Sequence, residues 1–330
     1  MPIPFVEPFR IKVVEPIKQT TRDERLKILA DAHNNLFGVP AEDVFIDFLT
    51  DSGTNAMSDR QWSAMMMGDE SYAGARSFKH LEKAIREIMG FPHFLPTHQG
   101  RAAEGMLFKT LVKKGQFVPN NRHFDTTQAN LMILGANPVD LVVEEASDPN
   151  INLPFKGNMD LEKLERFILE TKSENIPLGM LTITNNSAAG QPVSMENIRQ
   201  TAALYHRFGI PFFIDACRFA ENAWFIKNRE PGYSNQSIKE IVLEMFSYAD
   251  GCTMSAKKDA IVNIGGFIAC RDEDLKLKIA QNLIVHEGFL TYGGLAGRDL
   301  EAIAVGLQEG IAEDYLAYRE QHTHYLAAVL

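Results

Sequence analysis

The stretch Tyr248-Ala-Asp-Gly-Cys-Thr-Met-Ser-Ala-Lys-Lys-Asp259 decides how the rest of the chain is read. Its first half is a short buried-strand pattern, its middle a small polar turn, and its end presents two adjacent lysines, Lys257 and Lys258. A lysine at a strand end, beside residues small enough to admit a ligand, is placed to form a Schiff base with an aldehyde cofactor. Adjacent lysines are more often a solvated surface pair. Which use applies depends on how the neighbouring strands end.

Upstream, the apolar strand Ile210-Pro-Phe-Phe-Ile214 ends at Asp215, with Arg218 three residues on. Gly209 can stop the helix before it, which Ser194 caps and Ile198, Ala202 and Leu204 stripe. Met180 to Thr184 is strand-like and ends at Asn185-Asn186-Ser187. Helical spacing recurs in Leu161, Leu164, Phe167 and Ile168, and again in Leu81, Ala84, Ile85 and Ile88, where Gly90 is the stop. Phe94-Leu-Pro-Thr97 leads to His98-Gln-Gly-Arg-Ala-Ala-Glu104, a glycine turn opening a helix through Met106, Leu107 and Leu111. Strand, turn, helix and strand follow one another, with polar residues at each strand's carboxyl end. This pattern predicts an α/β protein with a doubly wound, mostly parallel sheet whose ligands gather at that edge.

The flanks read differently. Residues 1 to about 20, punctuated by proline as far as Pro16, predict an extended arm lying on another body such as a second subunit. Thr21-Arg-Asp-Glu24 is a capping-box start for a helix, and Val44-Phe-Ile-Asp-Phe-Leu49 is a strand candidate entering the polar turn Thr50 to Asn55. Glu313 to Arg319 and Tyr325 to Leu330 form an amphipathic helical pattern without a stop signal, as though the sequence broke off in mid-element.

A chain of 330 residues is long enough for a substantial core, and 45% hydrophobic with 23% charged residues is the composition of a globular protein. The formal net charge of -10, with no basic run, argues against a nucleic-acid partner. Cys217, Cys252 and Cys270 are too few and too isolated for a disulfide framework or a zinc site, and read as small buried hydrophobes in a reducing compartment. No apolar run approaches the roughly 20 residues a bilayer needs, so no membrane partner is expected and the cytoplasm is.

Four features gain meaning together. Thr97 to Ala102 offers a glycine, free amides, a helix start and Arg101, which suit a phosphate, although a plain turn before a helix reads the same way. Asp215 needs a positive partner, which a protonated pyridine nitrogen would supply; an ion pair with Arg218 or an N-cap to the next helix would also serve. Ser255 stands just before the lysines as a second phosphate donor. Phe124, followed by Asp125-Thr-Thr127, can stack on a planar ring or pack in the core. Phosphate cradle, acid, lysine and aromatic fit one ligand, pyridoxal phosphate.

Over nearly its whole length the chain resembles the tryptophanase and tyrosine phenol-lyase family of β-eliminating lyases. The resemblance is carried by Glu7-Pro-Phe-Arg10, Leu49-Thr-Asp-Ser-Gly-Thr54, Met66-Met-Gly-Asp-Glu-Ser-Tyr-Ala-Gly74, Pro96-Thr-His-Gln-Gly-Arg101, Gly190-Gln-Pro-Val-Ser194, Phe219-Ala-Glu-Asn-Ala223, Met254-Ser-Ala-Lys-Lys-Asp259 and Tyr292-Gly-Gly-Leu295. It implies the pyridoxal-phosphate-dependent transferase fold type I, aspartate aminotransferase-like, with a large domain of seven-stranded type. The implied organisation is an arm and the start of a small domain over 1–47, the large domain over 48–310, and the start of a C-terminal small domain over 311–330. A homotetramer with active sites shared between subunits and a monovalent cation, potassium, are implied as well.

By position, the resemblance implies Lys258 as the Schiff-base residue and Lys257 as its active-site neighbour. It puts Gln99, Gly100, Arg101 and Ser255 at the phosphate, Phe124 on the ring, Asp215 at the pyridine nitrogen, and Asn186 and Arg218 near the ring hydroxyl. Tyr72 matches a tyrosine contributed across the subunit interface. Thr50 and Phe289 fall on the substrate side, and Gly53, Glu70 and Asn263 on the cation site. Asp125 resembles the indole-releasing branch, whereas Asn55 to Asp59 and Phe246 to Thr253 look at least as much like the phenol branch. The expected reaction is β-elimination of L-tryptophan to indole, pyruvate and ammonia, with L-tyrosine to phenol as the alternative. An inactive cofactor-binding or assembly protein is the reading from another class, should the chain end at 330. Two departures from the family pattern are alanine for a glycine in Ser187-Ala-Ala-Gly190 and the missing second glycine in Arg101-Ala-Ala-Glu104.

Overall fold

The structure, a computed structural model, describes residues 6–330. Among the described residues are seven strands: β1 (His93–Thr97), β2 (Phe117–Asn120), β3 (Asn137–Asp140), β4 (Gly179–Thr182), β5 (Phe212–Asp215), β6 (Gly251–Ser255) and β7 (Gly266–Cys270). The helices are α1 (Arg22–Asp31), α2 (Asp59–Met65), α3 (Arg76–Met89), α4 (Gly100–Leu111), α5 (Asp125–Ile133) and α6 (Leu161–Thr171), then α7 (Met195–Arg207), α8 (Phe219–Arg229), α9 (Ile238–Ser247), α10 (Glu273–His286), α11 (Gly297–Glu309) and α12 (Glu313–Val329). Several begin where local chemistry predicts. Thr21 closes a capping box on α1, Ser194 caps α7, Asp160 caps α6, and Gly90 ends α3 in the left-handed conformation at φ 74°.

Five strands form one sheet in the order β1-β7-β6-β5-β4. β4, β5 and β6 are parallel, whereas β7 runs antiparallel to both β6 and β1. β2 and β3 pair in parallel as a separate ribbon. The ribbon joins the sheet through side chains. Asn121 Nδ2 donates to the Thr182 carbonyl at 3.0 Å, the Thr182 amide returns a bond to Asn121 Oδ1 at 2.9 Å, and Asn120 Nδ2 donates to Thr182 Oγ1 at 3.0 Å. Pro119 has no N–H to offer a ladder, and its carbonyl instead accepts the Tyr205 hydroxyl at 3.2 Å. The expected seven-stranded layer is therefore five strands plus two, sewn by asparagines.

Alternation along the strands divides the core into two layers. Phe212 and Ile214 of β5, Cys252 and Met254 of β6, and Phe267 of β7 face one layer, built with Leu81, Ile198, Phe219 and Phe246. Phe213 of β5, Met180 of β4 and Ile268 of β7 face the other, against Leu107, Phe108, Leu131, Ile279 and Leu283. Each such side chain contributes about 1.5–3 kcal/mol on full burial. Helices thus cover both faces, and the carboxyl ends of β4, β5 and β6 open on one edge.

Three expectations are corrected. Val44 to Leu49 is not a strand: Asp47 Oδ1 accepts the amides of Leu49 and Thr50 at 2.7 and 3.0 Å, folding the segment into an exposed turn. Tyr248 caps the end of α9, so the strand begins only at Gly251. Cys217 is not a simple buried hydrophobe, because its thiol is engaged at the strand edge described next. Of the expected extended arm, residues 1–5 lie outside the described residues, and 6–20 are almost wholly exposed and carry no regular element.

Candidate active site

An open cleft lies at the carboxyl edge of the sheet, between the start of α4, the start of α5 and the turn after β6. It brings together ten predicted residues. Gln99, Gly100, Arg101 and Ser255 line one end, Phe124, Asn186, Asp215 and Arg218 the middle, and Lys257 and Lys258 the floor after β6.

Each side chain is placed by a strand or helix end. Gln99 stands at the N-cap of α4 without a side-chain cap, so the first turn presents its backbone amides to the cleft. Gly100 permits this approach: a Cβ there would lie 2.7 Å from Ser255 Cβ and 2.9 Å from Ser255 N. Gly266 plays the same part from β7, where a Cβ would come within 2.7 Å of the Gln99 carbonyl carbon. Lys258 Nζ donates to Ser255 Oγ at 3.2 Å. Both lysines are half-buried, which removes the surface-pair reading.

Asp215 is 3% exposed at the end of β5. Burial pushes its carboxyl above the ordinary aspartate range, while the Cys217 thiol and amide and the charge of Lys258 draw it back. The thiol donates to Oδ1 at 3.0 Å and the amide at 3.4 Å. Neither of the ordinary uses of Asp215 applies. Arg218 pairs instead with Asp51 Oδ2 at 3.2 Å, and Asp259 caps α8, accepting the amides of Ala220 and Glu221 at 2.8 and 3.1 Å. Asp259 is itself fully buried and held by Arg319 of α12 at 3.2 Å.

A second recess gathers Glu70, Tyr72, Thr291 and Tyr292. Tyr72 is 63% exposed and stacks on Phe289 at 5.5 Å between ring centroids, with Tyr292 at 5.4 Å. A hydrogen bond with Tyr292 raises the Tyr72 phenol above its ordinary range. Tyr72, Phe289 and Glu70 therefore stand apart from the cleft within one chain. Asp125 is exposed beside Phe124, and Thr50 is exposed on the Asp47 turn, whose neighbour Ser52 lines the cleft in its place. Asn263 Nδ2 donates to the Gly53 carbonyl at 2.9 Å, while Glu70 accepts the Gly297 amide at 3.0 Å, so the three expected cation ligands are divided. Among the described residues no cluster of three or more His, Cys, Asp or Glu side chains is arranged to hold a metal, and no helix is long and apolar enough to cross a membrane.

Sequence reasoning missed Glu104 and Cys217. Both line the cleft. Glu104 is 4% exposed, and burial, then the charge of Asp215, pushes its carboxyl up to about 7. No local pattern marks Glu104, since α4 also carries Arg101, Lys109 and Thr110 and an acid among them reads as surface.

These residues fit pyridoxal phosphate by their donor chemistry. Uncapped amides, Arg101 and Ser255 suit a phosphate; a buried acid with no arginine partner suits a ring N–H; and a half-buried amine suits an aldehyde.

Comparison with known proteins agrees with this reading. A family profile described as β-eliminating lyase matches residues 47–330. The tryptophanase of Salinibacter ruber is 56% identical over 99% of this chain and 69% of its own, and that of Rhodobacter capsulatus 57% over 98% and 71%. A tyrosine phenol-lyase of Symbiobacterium is 51% identical over 99% and 71%. Among solved structures, a chain of the SepCysS-SepCysE N-terminal domain complex superposes with a TM-score of 0.54 at 16% identity, covering 79% of this chain and 65% of that one. The superposition shows the fold, the type I arrangement of pyridoxal-phosphate enzymes. The extent of the sequence match, on a cleft built in this way, makes the chain a carbon-carbon lyase of the pyridoxal-phosphate-dependent β-eliminating lyase family.

Proposed function

We propose that this chain eliminates the side chain of an aromatic amino acid, L-tryptophan before L-tyrosine, releasing indole, pyruvate and ammonia. The observation that carries the choice is Asp125, exposed in the first turn of α5 directly beside Phe124 of the cleft, where a carboxylate can accept the indole N–H.

Gln99, Gly100, Arg101 and Ser255 would hold the cofactor phosphate, Phe124 its ring face, Asp215 its ring nitrogen, Asn186 and Arg218 its ring hydroxyl, and Lys258 its aldehyde carbon. When bound, pyridoxal phosphate supplies an electron sink for negative charge at the substrate α-carbon. Lys258 is the general base that takes the α-proton, and Ser255, 3.2 Å away, orients its amine. Asp215, buried at the end of β5 and held by the Cys217 thiol at 3.0 Å, is the group that would keep a proton on the ring nitrogen. Lys257 lies alongside as a second amine lining the cleft.

Carbon is a poor leaving atom until its ring is protonated, and Tyr72 is the proposed acid. Its phenol lies outside its own cleft, which supports a site completed by Tyr72 and Phe289 of a second copy, within the proposed homotetramer. Glu70, on the same recess, would complete a potassium site with Gly53 and Asn263 of the neighbour. Thr50 and Ser52, two residues on, would meet the substrate carboxylate.

Pyruvate release from L-tryptophan and from L-tyrosine tests the assignment. A kcat/KM for tryptophan at least tenfold above that for tyrosine is expected. The reverse order makes the chain a phenol-lyase, and release from neither substrate by protein that binds the cofactor rejects both.

A further inference from the structure

Glu104 takes no part in the steps above, yet the chain keeps a carboxylate there at a cost. Burying an acid in an apolar wall is unfavourable by several kcal/mol unless its oxygens are well partnered, and its neighbours on α4, Ala103, Met106, Leu107 and Phe108, are all apolar and buried. The partners of Glu104 come from one place. Thr127 Oγ1 donates to Oε1 at 2.8 Å, Thr126 Oγ1 to Oε2 at 3.2 Å, and Asn130 Nδ2 to Oε2 at 3.5 Å, all three from α5. Asn130 Nδ2 also donates to the Arg101 carbonyl at 3.1 Å, so the same amide reaches the first turn of α4.

These bonds span the two halves of the cleft. α4 starts with the phosphate-facing Gly100 and Arg101, and α5 starts from Phe124, its N-cap residue, which has no side-chain cap of its own. Gly105 keeps the helices close, since a Cβ there would lie 3.3 Å from Asn130 Oδ1.

We propose that Glu104 is a positioning residue whose buried carboxylate ties the first turn of α5 to the start of α4, fixing Phe124 relative to the phosphate end of the cleft. The inference rests on reading the cleft as a pyridoxal-phosphate site. Glu104 acts through Phe124 rather than on any reacting atom.

The test is a double-mutant cycle on the full chain, read as the Kd for pyridoxal phosphate and as the circular dichroism induced in the bound cofactor. E104A should weaken binding about tenfold, the equivalent of losing one or two bonds to a charged group, and should reduce the induced signal. E104Q, whose amide still spans the gap, should stay within about threefold of wild type. In an F124A background E104A should add nothing, because both changes cut one link. Additive losses, or an E104A Kd within twofold of wild type, overturn the role. T127V removes the shortest bond while leaving Glu104 in place; a Kd weakened about threefold supports the tie even if E104A does not fold, and an unchanged one rejects it. Wild-type protein that takes up no pyridoxal phosphate sinks the cofactor reading itself, whereas cofactor-binding wild type with an indifferent E104A sinks only the tie.

Discussion

Gly100→Ala is the sharpest single test of how the cleft is assembled. The added Cβ would stand 2.7 Å from Ser255 Cβ, 2.9 Å from its amide nitrogen and 3.0 Å from its Cα, where ordinary contact begins at 3.4 Å. The shortfall is about 0.7 Å, and all three atoms belong to the end of β6 rather than to a flexible side-chain tip, so α4 must retreat from the sheet by most of that distance. Overpacking of this kind costs about 1–3 kcal/mol, a loss of a few degrees in Tm for a chain of this size. Cofactor binding should suffer more than stability does, because the amides of the first turn and Arg101 move with the helix; a displacement near 1 Å at a reacting site can cost about 100-fold. Differential scanning fluorimetry of the apo protein and absorbance titration with pyridoxal phosphate separate the two effects. G100A with a cofactor Kd within threefold of wild type would refute the close-approach account.

K258A should abolish the visible absorbance of covalently held cofactor while K257A retains it, and the opposite pattern would move the covalent role to Lys257. The carboxyl of Glu104, pushed up to about 7 by burial and by Asp215, binds more protons folded than unfolded between its ordinary pKa of 4.5 and about 7. Its contribution is therefore fully present below the unfolded value and is lost as pH rises through 7, by about 3 kcal/mol in all. Tm of the apo protein measured from pH 4.5 to 8 should fall less steeply in E104Q than in wild type; parallel curves would contradict the shift.

Local chemistry was legible in the sequence wherever one segment supplies both partners. Thr21 with Glu24, Ser194 with Asn197 and Gly90 after α3 need no distant residue, and each begins or ends a helix as read. Asp215, Lys258 and the Gly100 turn were readable because strand ends in an α/β sheet converge on one edge. What was missed depends on contacts made far along the chain. Val44 to Leu49 has the composition of a strand but no neighbour to bond, and Asp47 bends it. α8 takes its cap from Asp259, 40 residues beyond Phe219, a partnership no local pattern announces. Glu104 looked like surface by residue type, and only the placement of α5 against α4 shows that it is buried.

The asparagine seam between β2 and β4 divides the cleft mechanically. Lys258, Ser255 and Asp215 are mounted on the five-stranded slab, whereas Phe124 is carried on the chain leaving β2, on the two-stranded leaf beyond the seam. Across most of the sheet, strands are held by runs of backbone bonds; across the seam, side chains do the holding, Asn120 and Asn121 on Thr182 and the Tyr205 hydroxyl on the Pro119 carbonyl. Leaf and slab are therefore distinct units for amide hydrogen exchange, and β2 and β3 should exchange faster than β5 and β6 in the apo protein. A ligand that is stacked by the leaf and covalently bound by the slab acts as a brace between them. Cofactor uptake should slow exchange most in the leaf, which makes the outermost strands the most sensitive reporters of a site they do not touch.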